Sequence, residues 1–225
     1  MLFSISQEEV LMSLGPRLGR RARRTRCAPA LLALVLLLSL PHPVTADLTL
    51  SSTDERLLRQ GRILFKSEIP AGGSAGGAMG GTALALLQAD PDTVWRTLVD
   101  FPGHAGLFPR VKESAVLERG GDRTLVRYRV AVGPFAFRFH VNNYADAAAH
   151  LLRWELDRGR DNDLFRDQWG YWKVEPWDQR VLVTYAMGGR TTLPAFLTRG
   201  AGEQGAVQTL KALKDRVEGP VGATD

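Results

Sequence analysis

Cysteine is nearly missing from this 225-residue chain: the one cysteine, Cys27, precedes a short apolar run near the N-terminus. Disulfides, thiolate catalysis and cysteine-held metals are therefore excluded for everything downstream of it. Long hydrophobic runs are missing too. The longest, ALLALVLLLSL from Ala30 to Leu40, is about half the ~20 residues that cross a bilayer. It follows the basic run RLGRRARRTR and precedes PHPVTA, the order of a secretory signal, so residues 1–46 read as a signal cleaved after Ala46. That predicts an exported protein, periplasmic or secreted.

A charge excess is the third absence. Formal net charge is +5, but removing residues 1–46 takes six of 29 basic and two of 24 acidic side chains, leaving 23 against 22. Nucleic-acid binding, which needs Lys and Arg in excess against phosphate, is not expected.

Familiar catalytic motifs are absent as well. His104, His140 and His150 show no paired spacing for a metal, and no metal or other cofactor is expected. No G-x-S-x-G elbow occurs. Asp161, Asp163 and Asp167 read as a solvated acidic loop, and Asp100 as a cap for a short helix. AGGSAGGAMGG, residues 71–81, holds six glycines but no Gly-Lys-Ser/Thr, and a strand follows it rather than a helix N-terminus. It reads as a flexible connection.

What is present is a clear sequence of elements. Ser52 and Glu55 predict a capping box and Gly61 a stop, so STDERLLRQ is a short helix, followed by strand RILFKSEI. After the glycines, TALALLQA is a second strand. Asp90-Pro91 starts a helix whose Val94, Trp95 and Leu98 share a face, and FPGHAGLFP makes a bend and a brief second helix. The period then changes to two, giving antiparallel strands at roughly 113–119, 123–132, 135–144, 150–157, 165–175 and 180–187. Finally Val207, Leu210, Leu213 and Val217 recur at helical steps, with a stop at Gly219-Pro220. Gly200, Gly202 and Gly205 predict a kinked or separately started first half.

Gly133-Pro134 suits a two-residue type II′ hairpin and sets a register. Val132 faces Phe135, Val130 faces Phe137, Tyr128 faces Phe139 and Val126 faces Val141, all on one side. Arg129 then opposes Arg138 and Arg127 opposes His140 on the other. Glu155 or Asp157 would balance these arginines, making a charge-compensated outer face. An anionic lipid or partner patch is the alternative.

ALLQADPDTVWRTLVDFPGHAGLFPRV, together with DQWGYWKVEP, VLVTY and LPAFL, resembles the START-like (SRPBCC) superfamily of polyketide cyclases, coenzyme Q-binding proteins and lipid-transfer proteins. The resemblance rests on Trp95, Asp100, Pro109, Gly170, Trp172, Pro176 and Tyr185, and spans roughly 82–218. It implies an α+β helix-grip fold: a bent antiparallel sheet of about seven strands around a long C-terminal helix, with two short helices after the first strand. Residues 47–81 would be an N-terminal extension and 219–225 a disordered tail. The family cavity would be lined by Tyr128, Phe137, Phe139, Trp154, Trp172 and Tyr185, with His104, Phe108 and Phe196 at its edge or lid. Taken alone, His104 in a turn reads as a surface histidine.

Three functions follow as expectations. The first is a carrier for a hydrophobic small molecule such as a lipid, isoprenoid or quinone, with a transient membrane contact. The second is a cyclase-, aromatase- or hydrolase-like enzyme using Tyr128, His104 or Tyr185 on protons. The third is a non-catalytic partner-binding module.

Overall fold

A computed structural model describes residues 49–73, 77–194 and 200–219, all within the unit Pro43–Asp225. The expected signal, Phe196 and the tail from residue 220 onward lie outside the described residues.

Helix α1 (Ser52–Arg59) is capped one residue earlier than its serine pair suggested. The Ser51 hydroxyl accepts from the Asp54 N–H at 3.1 Å, and the Asp54 carboxylate accepts from the Ser51 N–H at 2.9 Å. Tertiary contact favours Asp54 over Glu55, because the same carboxylate receives Lys66 at 3.0 Å. The Ser51 backbone bond first, then Lys66, hold that carboxyl down at about 2. The chain leaves the helix by the paired bonds Gly61 N–H to Leu58 and Arg62 N–H to Leu57.

The expected strand RILFKSEI shrinks to β1 (Leu64–Lys66). The next strand starts earlier than expected: β2 (Met79–Leu87) includes the last three residues of the glycine stretch, which pair with the far end of the last strand. Gly80 and Gly81 have φ of +145° and +154°. A Cβ at 80 would collide with the Met187 carbonyl, and one at 81 with the Phe65 ring. These two glycines are strand positions where neighbouring backbone and a ring come too close for any side chain.

Helix α2 (Pro91–Val99) is capped by Asp90, whose carboxylate accepts from the Thr93 N–H at 2.9 Å, and buries Val94, Trp95 and Leu98. A 3-10 turn (Phe101–Gly103) and helix α3 (His104–Leu107) follow. Asp100 stands at the head of the turn but its side chain caps nothing. That carboxylate occupies the space beside Gly103 instead.

Six strands come next: β3 (Val111–Gly120), β4 (Arg123–Val132), β5 (Phe135–Asp146), β6 (Leu151–Leu156), β7 (Phe165–Trp177) and β8 (Arg180–Thr191). The β4–β5 pairing has the register that Gly133-Pro134 predicts, residue for residue. Gly133 has φ of +58°, and the ring of Pro134 restores a negative φ, as a type II′ turn needs.

The outer arginines are balanced differently from expectation. Arg129 donates to Glu113 on β3 at 2.6 Å, while Glu155 accepts from the Tyr144 hydroxyl and Asp157 pairs with Arg160. Glu155 stands opposite Asn142, not Arg138. Asp167 is not a loop residue: it lies on β7, 2% exposed, and receives Arg158 at 2.8 Å.

The strands form one antiparallel, curved sheet in the order β1-β2-β8-β7-β6-β5-β4-β3. Helix α4 (Ala201–Glu218) packs on the inner face against β2. It runs as one helix from Ala201, and Ala206 rather than Val207 joins Leu210 and Leu213 in the core. Its first turn lies against β2, where a Cβ at Gly202 would make ordinary contact with the Gly80 backbone at 3.5 Å. This is the α+β helix-grip arrangement, with β1 added at one edge.

The outer face of β2, β8 and β7 is covered by the N-terminal extension. Leu58 packs on Leu84, Leu86 and Leu182 in a second apolar cluster. Trp169, buried, donates its indole N–H to the Pro70 carbonyl at 2.9 Å, and Gly72 and Gly73 lie flat against its ring.

Candidate functional site

A cavity of about 260 Å³ lies between the inner face of the sheet, α3 and α4. Its lining includes the residues where β2, β3 and β7 begin and where β4 and β8 end, together with the first turns of α4. In an antiparallel sheet these termini share one end. The β4–β5 hairpin tip belongs to that end too, and there Phe135 is 64% exposed.

Of the nine residues expected at the site, seven line the cavity: Tyr128, Phe139, Trp154, Trp172, Tyr185, His104 and Phe108. Phe137 does not. The register turns it inward, but it sits two residues from the hairpin turn, half-buried, with its ring centroid 6.4 Å from that of exposed Phe135. Phe196 lies outside the described residues.

The aromatic wall is continuous. Tyr185 stacks on Trp154 with centroids 5.6 Å apart and meets Trp172 at 4.2 Å, while Phe108 stacks on Trp172 at 6.0 Å. Gly170, opposite Trp154 across β6 and β7, leaves the space that the Trp154 ring occupies.

His104 is no surface histidine. It is 5% exposed, with Nε2 2.9 Å from the Leu98 carbonyl and Nδ1 2.9 Å from the Tyr128 hydroxyl. A carbonyl only accepts, so Nε2 carries the proton and Nδ1 accepts from Tyr128. Burial holds the imidazole down at about 4, against the Leu98 bond and the Asp100 charge, which pull upward. Burial likewise raises the Tyr128 and Tyr185 phenols. At neutral pH the trio is uncharged, and the Tyr128 proton is committed to His104.

Sequence reasoning missed the polar members of the lining, chiefly Asn143, Gln168, Gln208, Thr209 and Arg110. The signal for two of them was strand parity: Asn143 alternates with Phe139 and Val141, and Gln168 with Gly170 and Trp172. No cluster of metal-ligating side chains occurs among the described residues.

The sequence profile of the family described as polyketide cyclase / dehydrase and lipid transport matches residues 82–218. The chain belongs to this family. No curated protein matches it. The aromatase/cyclase Zhui from Streptomyces sp. R1128 is similar in structure, with a TM-score of 0.56 at 20% identity over 63% of this chain and 94% of that one. A START superfamily protein from Mycobacterium smegmatis gives 0.54 at 22% identity over 61% and 95%. A protein from Thermus thermophilus gives 0.53 at 23% over 60% and 94%. Identities this low establish the shared fold alone.

Proposed function

We propose that this family member binds and carries a hydrophobic small molecule, a lipid, isoprenoid or quinone-like compound, in its internal cavity. The observation that carries the reading is the cavity itself, walled by stacked aromatic rings and opening at one end of the sheet. Transfer of an apolar ligand into it gains about 25 cal/mol for each Å² removed from water. Its volume stands just below the ~300–1,000 Å³ usual for small-molecule sites.

Two further features support a carrier over an enzyme. The buried His104–Tyr128 pair is uncharged near neutral pH, with its protons held inside the protein. Exposed Phe135 at the open end, with Arg138 exposed on the same hairpin, suits transient contact with an anionic membrane surface from which a ligand is taken up. Export by a signal spanning residues 1–46 belongs to the same proposal, supported by the basic run, the short apolar run and PHPVTA that follow one another there.

The test is to extract the purified protein with organic solvent, identify what co-purifies by mass spectrometry, and titrate an environment-sensitive fluorophore into the extracted protein. An apolar compound released and a saturable fluorescence rise are expected. Neither appearing would overturn the carrier reading.

A further inference from the structure

Three polar side chains stand next to one another on the cavity's inner face. Asn143 of β5 pairs directly with Trp154 of β6, and Trp154 pairs with Gly170 of β7. Gln168 is two residues along β7 from Gly170, so it faces the same side as a diagonal neighbour of Trp154, ~7–8 Å away. All three line the cavity.

Their hydrogen bonding is incomplete. Trp154 and Gln168 are each 8% exposed, and the Trp154 indole N–H and the Gln168 Oε1 are buried without a hydrogen-bond partner among the described residues. Asn143 donates its amide to two backbone carbonyls, Thr124 at 3.3 Å and Val141 at 3.2 Å. Both partners are acceptors, so the amide nitrogen must face them, and Oδ1 is the part left for something else. The group thus offers the Trp154 N–H and the Gln168 amide N–H groups as donors and two amide oxygens as acceptors, and carries no charge. The charged residue of the lining, Arg110, sits on the link into β3 at the open end, away from this row.

An orphaned buried donor or acceptor is costly, and a ligand group that meets it recovers that cost. A bare hydrocarbon would leave all three unmet. An ether or ketone could only accept and would leave both amide oxygens unmet, and a carboxylate would bring its charge against those two oxygens. A hydroxyl both accepts and donates. We propose that Asn143, Trp154 and Gln168 recognise the polar end of the ligand, and that the ligand is a neutral, hydroxyl-bearing apolar molecule whose oxygen accepts from Trp154 and whose O–H donates to Gln168 or Asn143. The inference rests on the carrier reading and specifies its ligand class.

The aromatic wall favours planar probes, so the test compares 2-naphthol, 2-methoxynaphthalene and 2-naphthoate by calorimetric titration of the full chain at neutral pH. These share one ring system and differ in donor, acceptor and charge. 2-Naphthol is expected to bind about 10-fold more tightly than either of the others. In Gln168→Leu that preference over the methyl ether shrinks to about 2-fold, and in Trp154→Phe both neutral probes weaken together. Circular dichroism verifies that each variant is folded, and either one alone is sufficient. Equal or tighter binding of 2-methoxynaphthalene, or a full preference kept in Gln168→Leu together with unweakened binding of both neutral probes to Trp154→Phe, overturns the inference. So does binding of the fluorophore without any of the three probes. If neither fluorophore nor probe binds, it is the carrier reading itself that fails.

Discussion

His104 shows how far a residue's surroundings outweigh its type. In the sequence it is a histidine in a turn; in the fold it is sealed beneath Tyr128, Phe101 and Phe108, bonded at both ring nitrogens. Its folded pKa of about 4 lies below the usual 6.5, so the unfolded chain binds the proton more tightly. The stability this contributes is fully present above about 6.5 and is lost as pH falls toward about 4. Urea unfolding at pH 7 and pH 4.5 should show wild type losing on the order of 2–3 kcal/mol more than His104→Gln over that interval. Parallel losses in the two proteins would contradict a buried, neutral imidazole. Arg129 is the contrast: its bridge to Glu113 is half exposed on both sides and adds little to stability, although it resolves the clash of opposed arginines.

Among the elements, the glycine stretch changed most. Composition marked it as a connection, yet its last three residues are strand, and segment 69–73 lies over Trp169. Gly80→Ala should cost more than ~2 kcal/mol in denaturant unfolding, because the methyl must displace the β8 backbone rather than a pliable side chain. A stability within experimental error of wild type would show that β2 and β8 can separate there. Trp169→Ala should cost ~3–5 kcal/mol and expose the preceding segment to protease, since the ring and its bond to Pro70 hold the extension on the sheet. Cleavage no faster than in wild type would mean that the Leu58 cluster alone secures it. The β4–β5 hairpin went the other way: turn chemistry is local and alternation has a period of two, so its register could be read in full.

At the scale of the whole molecule, the cavity is what the proposed function depends on. Thr209 lines it from α4, and Thr209→Phe should fill part of it, weakening fluorophore binding at least ~10-fold while leaving the melting temperature within a few degrees. Unchanged binding would place the ligand elsewhere. The sequence by itself determined the order of elements and the inward and outward faces of β4, β5 and β6, because periodicity, caps and turns act over a few residues. It also carried the family resemblance through motifs local to α2, β7 and β8. Tertiary structure alone decided that His104 is buried, that Phe137 is clear of the cavity, that Asp54 and not Glu55 completes the first cap, and that Asn143, Trp154 and Gln168 meet across three strands. Each depends on which distant segment lies against which, and neither periodicity nor turn chemistry within one segment encodes that.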